Sequence, residues 1–205
     1  QAEAVALHDC DIVTYDRNMV ARLMYPVANP QFSYEFCKGF YSRIANDKFN
    51  GRACRLLVSP MIHALKKLLG DLEYLQFMDS FRYSLAGEFS FRRDVLNDIR
   101  IPSDWGLEIG MLSEMHRNYA NNRICQVDIA DIYDHKHQKL SADNVDSGLS
   151  KMSIDISKAF IRKLATQGST FTSESFRTLK ATYYRIALDY ICLLYTSPSP
   201  RDKTV

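Results

Sequence analysis

Asp9 and Asp11 stand one residue apart where the apolar run Val5-Ala6-Leu7 ends. Residues i and i+2 of a strand face the same side, so both carboxylates can meet one ligand. If the run is a buried strand of an open α/β sheet, its carboxyl end is where the ligand crevice lies. Paired hard oxygens there suit Mg²⁺ or Mn²⁺ holding a diphosphate. Cys10, between them, points the other way and reads as packing. Taken alone, the pair is more often the solvated end of a strand.

Other residues offer complementary chemistry. His135 and His137 present two imidazoles at the same i, i+2 spacing. Imidazole suits Mn²⁺-like ions better than Mg²⁺, although the spacing also fits an ordinary surface histidine pair. Gly51-Arg52 opens a helical stretch, and a close-approaching backbone, free N–H groups and a guanidinium fork suit a phosphate. The plainer alternative is a helix-starting loop with an exposed arginine. Lys38 can face phosphates or simply occupy a strand edge.

These side chains need elements to position them. Apolar spacing predicts a helix over residues 16–27, with Met19, Val20, Leu23 and Met24 on one face. Residues 32–37 and 40–44 read as two strands separated by Lys38-Gly39, and 46–51 as a turn. A helix follows over 52–69, which Pro60 should kink or split. Residues 83–91 form a strand or tight turn marked by Gly87, 92–99 a short helix, and 102–106 a loop holding the single tryptophan, Trp105. A helix over 107–119, a strand over 124–129 and two long helices over 144–167 and 173–193 complete the pattern. No repeat or linker demands a second domain.

Composition narrows the class. The 205 residues suffice for one domain with a sizeable core, and 46% hydrophobic with 24% charged residues is ordinary for a soluble enzyme. A net charge of +2 makes no case for nucleic acid or an anionic membrane, so any anion recognition must be local. Five scattered cysteines without a C-x-x-C read as free cytosolic thiols. No apolar run reaches membrane-spanning length. The chain lacks an initiator Met, and residues 194–205 interrupt an amphipathic pattern with Ser and Pro, so the expectation is a gene fragment with a non-native tail.

Several segments together resemble the glucosyl-3-phosphoglycerate synthase family of retaining, metal-dependent GT-A glycosyltransferases. They are His8-Asp9-Cys10-Asp11, Phe36-Cys37-Lys38-Gly39-Phe40-Tyr41, Asn50-Gly51-Arg52 and Leu85-Ala86-Gly87-Glu88-Phe89. They continue through Asp104-Trp105-Gly106-Leu107-Glu108-Ile109-Gly110, Gln126-Val127-Asp128 and Asp134-His135-Lys136-His137-Gln138. The resemblance implies an α/β fold, the C-terminal part of a GT-A domain with long C-terminal helices. A partial catalytic domain would cover 1–143, beginning on what should be a central strand, and a helical region 144–193. The strands carrying the uracil and ribose pocket would precede it.

The same resemblance implies transfer of glucose from UDP-glucose to 3-phosphoglycerate with retention, in cytoplasmic compatible-solute synthesis, by a homodimer of the full-length enzyme. The fragment alone would be inactive. Asp11 becomes the metal ligand and, with Glu108, a catalytic residue; His137 becomes the second ligand, with His135 the alternative. Asp9, Cys10, Asp11, Lys38, Gly87, Glu88 and Glu108 would line the donor site. Gly51, Arg52, Cys54, Trp105 and Lys139 would line the acceptor site, Cys54 standing where relatives use a hydroxyl and Lys139 where they carry an asparagine. No side chain reads as a covalent nucleophile, and the resemblance implies a front-face route. Rival readings are a related transferase using mannose or another acceptor, and a non-catalytic helical oligomerisation module.

Overall fold

The apolar strand Ala4–Leu7 (β1) forms as its sequence pattern requires, at one edge of a four-stranded mixed sheet. The computed structural model describes residues 2–45, 48–49, 51–135 and 147–196. Phe89–Arg92 (β5) pairs antiparallel with both β1 and Phe36–Tyr41 (β2), and β2 pairs parallel with Ile124–Ala130 (β6). β1, β2 and β6 therefore run the same way, and their carboxyl ends share one edge of the sheet with the start of β5.

The strand break expected at Lys38-Gly39 does not occur. β2 runs straight through both residues, because Lys38 pairs with Phe89 on one side and Gln126 on the other. Gly39 is needed there for closeness rather than for a turn: a Cβ would lie 3.0 Å from Ile129 Cδ1 and 3.1 Å from the Glu88 carbonyl. Strand alternation then splits the core in two. Phe36, Phe89 and Phe91 face the large cluster, while Cys37, Tyr41 and Ile129 face a smaller one.

Helix Arg17–Ala28 (α1) covers the smaller cluster through Met19, Leu23 and Val27, and its N-cap Asp16 accepts the Asn18 N–H at 2.7 Å. The other helices cover the opposite face. The segment expected as one kinked helix over 52–69 is a π-helical turn, Cys54–Val58, leading into helix Ser59–Leu69 (α2). Pro60 sits in the first turn of α2, where the loss of an N–H is tolerated. Helix Glu73–Asp79 (α3) was not anticipated; it is short, and it buries Tyr74, Leu75, Phe77 and Met78.

Leu107–Asn118 (α4), Gly148–Thr166 (α5) and Ser173–Thr196 (α6) match the three later expected helices, while the short helix expected over 92–99 is a 3-10 turn, Arg93–Asn97. α6 runs three residues into the stretch read as a tail. Its Tyr183 donates to the Leu56 carbonyl at 2.8 Å, and Tyr190 meets His63 Nδ1 at 3.0 Å. α6 thus clasps the π-helical turn and α2 together. Ile44–Ala45 (β3) pairs antiparallel with Lys48–Phe49 (β4), so residues 48–49, expected in a turn, are strand. No described helix is long and apolar enough to cross a membrane.

Candidate active site

Beyond β1 the chain leaves the sheet, and residues 8–11 form a loop rather than more strand. Asp9 and Asp11 nonetheless converge. One ligand atom from each, together with one from His135, all lie within 4.8 Å of one another. His135 Nδ1 is 3.5 Å from Asp11 Oδ1 and 4.0 Å from Asp9 Oδ2. Two hard carboxylates and one imidazole make a donor set fit for Mn²⁺ or Mg²⁺.

The backbone explains how His135 arrives. Ile12 forms an antiparallel bridge with His135, Val13 N–H donates to the Asp134 carbonyl at 2.8 Å, and Asp134 N–H donates to Thr14 Oγ1 at 3.0 Å. The segment after β6 is thereby zipped to the carboxylate loop. Burial, then the Arg43 guanidinium, lower the His135 pKa against the pull of Asp11, which favours the neutral ring a metal needs. His137, the first choice on resemblance, and Lys139 lie outside the described residues.

Beneath the triad sits a buried charged cluster. Lys38, only 1% exposed, donates from Nζ to the Ala86 carbonyl. Burial lowers its pKa to about 8, opposed by Glu108, Glu88, Cys54 and Asp9. Asp9 is pushed up to about 6, by burial first and then by Glu88, Glu108 and Asp11. Burial likewise raises the Glu108 carboxyl, with Lys38 opposing. The residues expected to line the donor site, Asp9, Asp11, Lys38, Glu88 and Glu108, are thus electrostatic neighbours drawn from four separate parts of the chain.

Glu88 is fully buried and richly bonded. Oε1 accepts the Tyr133 hydroxyl at 2.7 Å and the Asp9 N–H at 3.3 Å, and Oε2 accepts the Tyr41 hydroxyl at 2.8 Å. The two phenol rings stack 3.5 Å apart at 6°. Burial and then the Glu88 carboxylate raise both phenols above their ordinary range, keeping them protonated as donors. Sequence reasoning missed both tyrosines. Breaking β2 at Lys38-Gly39 hid the position of Tyr41, whereas Tyr133 carried a signal, standing at i−2 from His135.

The expected acceptor residues are distributed differently. Gly51 is buried with φ of 83°, against the Tyr83 ring, and Arg52 is exposed just after it. Cys54 is buried, 3.8 Å from Ser84 Oγ, and within electrostatic reach of Lys38. Trp105 is 42% exposed rather than part of the core, beside the start of α4. Cys10 is exposed, which corrects its reading as a packing residue: it lies on a turn and not on the strand.

No known protein-family model matches the chain. A glucosyl-3-phosphoglycerate synthase of Persephonella marina is 50% identical over 186 residues, 91% of this chain and 46% of that protein. One from Methanococcoides burtonii is 40% identical over 194 residues, 93% of this chain and 47% of that protein. The chain spans about half the length of the curated relatives it matches. Two crystal structures share its fold. Mannosyl-3-phosphoglycerate synthase from Rubrobacter xylanophilus has a TM-score of 0.64 at 22% identity, covering 84% of this chain and 50% of that one. Glucosyl-3-phosphoglycerate synthase from Mycobacterium tuberculosis, in complex with Mn²⁺, UDP-glucose and phosphoglyceric acid, has a TM-score of 0.63 at 21% identity, covering 80% and 51%. This chain is a homologue of the glucosyl-3-phosphoglycerate synthases, with a fold of the GT-A type.

Proposed function

We propose that this chain carries the metal-binding and acceptor-binding part of a hexosyltransferase that moves glucose from UDP-glucose to 3-phosphoglycerate. The observation that carries the reading is the convergence of Asp9, Asp11 and His135 at the carboxyl ends of β1 and β6. Those three residues would hold a divalent ion, which when bound supplies Lewis-acid stabilisation of a leaving diphosphate. Lys38, buried beside them, adds positive charge whenever it is protonated. Glu108 offers a carboxylate that would accept a sugar's hydroxyls, while Glu88, fully buried, would support the site from behind. Gly51 and Arg52, opening the segment that leads into α2, would take the acceptor's phosphate.

Retention of configuration follows from the same reading. Transfer would proceed by a front-face route, with the acceptor proton passing to the leaving diphosphate on the same face. A cytoplasmic role in compatible-solute synthesis and a homodimer of the full-length protein belong to this proposal too.

A test is to replace the matched 186 residues of the Persephonella marina protein with those of this chain and assay transfer. The expected result is Mn²⁺-dependent consumption of UDP-glucose that requires 3-phosphoglycerate and disappears with Asp11→Ala. A folded chimera that is inactive beside an active parent would refute it. The Rubrobacter likeness favours one second reading, with mannose as the sugar. A nucleotide-mannose donor outrunning UDP-glucose in the same chimera would select it.

A further inference from the structure

One buried carboxylate oxygen links the two separate chain segments that make up the metal triad. Glu88 Oε1 accepts the N–H of Asp9 at 3.3 Å, on the loop that carries both aspartates. The same atom accepts the hydroxyl of Tyr133 at 2.7 Å, two residues before His135. The third donor, Tyr41, binds the other oxygen at 2.8 Å and comes from β2, which supplies no ligand. Glu88 itself is held by β2, where its carbonyl accepts the Gly39 N–H at 2.9 Å. The carboxylate is therefore anchored to the sheet and reaches out to both parts of the donor set.

We propose that Glu88 is a positioning residue: through Oε1 it sets the separation of Asp9 and Asp11 from His135 and so the affinity of the triad for a divalent ion. This rests on the reading that the triad binds metal. A charge-assisted bond from a buried carboxylate is strong enough to hold a loop in register. Groups that orient metal ligands without touching the ion change affinity by about 10–100-fold when lost.

The two tyrosines make the test selective. Tyr133→Phe removes a bond to Oε1, and Tyr41→Phe removes one to Oε2; each keeps a ring for the stack. Mn²⁺ binding by the chain can be followed from the electron paramagnetic resonance signal of free Mn²⁺, without substrate or turnover. Wild type should bind and Asp11→Ala should not. Tyr133→Phe should bind about tenfold more weakly, while Tyr41→Phe stays within about twofold of wild type. Glu88→Gln, with one acceptor oxygen left for three donors, should lose at least as much as Tyr133→Phe. Equal losses in the two Phe variants would mean general loosening of the fold and overturn the proposal. So would wild-type affinity in both Tyr133→Phe and Glu88→Gln while Asp11→Ala stays inert, which leaves the metal site standing. Failure of wild type to bind Mn²⁺ would remove the metal site and the proposal together.

Discussion

The Asp9 carboxylate occupies the space where residue 87 would carry a side chain: a Cβ on Gly87 would lie 2.1 Å from Asp9 Oδ1 and 2.7 Å from Cγ. The atoms met belong to the end of a side chain, so the fold can absorb a methyl group by turning Asp9 aside. The site cannot, because Asp9 is one of its three candidate ligands. Gly87→Ala should therefore weaken Mn²⁺ binding by more than about tenfold while costing the fold roughly 1 kcal/mol, the low end for overpacking. Parallel metal titration and thermal melting check this; unchanged Mn²⁺ affinity would refute it.

His135, and not His137, should be the imidazole that matters. With Nδ1 3.5 Å from Asp11 Oδ1, its removal takes away one of three candidate ligands. His135→Ala should lower Mn²⁺ affinity by more than about tenfold, and Asp11→Ala should abolish binding. His137→Ala is the comparison. If it proves the damaging change and His135→Ala is silent, the bridge between Ile12 and His135 does not define the site.

Arg52 should act on the acceptor alone. It is exposed at the start of its helical segment, after a glycine whose φ of 83° other residues rarely adopt. In the active enzyme Arg52→Ala should raise the acceptor KM by more than about tenfold, consistent with roughly 1.5–3 kcal/mol for a charge-assisted contact. Donor KM should hold steady. Equal effects on both substrates would place Arg52 outside the phosphate site.

Lys38 predicts an unusual pH dependence of stability. Burial holds its pKa at about 8 in the folded chain, against 10.5 ordinarily. Between those values the unfolded chain keeps a proton that the folded chain has released. Unfolding then takes up a proton, so stability rises with pH, by about 1 kcal/mol between pH 7.5 and 9. Below pH 7.5 both states are charged and the burial penalty is felt in full. Urea unfolding across this range should show the gain in wild type, and Lys38→Met should lack it. The same slope in both proteins would show that other groups cause it.

Local chemistry made much of the chain legible. The apolar run of β1, the apolar stripe of α1, and the long periodic runs of α5 and α6 each depend on residues close in sequence, and each element formed where its pattern lay. Asp9 and Asp11 were readable as a ligand pair for the same reason, since both sit on one short loop. The family resemblance added Lys38, Glu88 and Glu108, which the fold then made electrostatic neighbours.

What the sequence could not decide came from contacts between distant segments. Lys38-Gly39 has the local signature of a turn, yet pairing with β5 and β6 on both sides keeps β2 extended. α3 is too short for periodicity to stand out and exists because four of its side chains complete the core. The approach of His135 to Asp9 and Asp11 came from its backbone bridge to Ile12, more than 120 residues away. The role of Glu88 came from two tyrosine hydroxyls that only the packed sheet brings to it. Side-chain type and spacing determine which chemistry a chain can offer; which of the offered groups meet is decided by long-range pairing, because burial lets an unpartnered carboxylate or amine stand only where the fold supplies its partners.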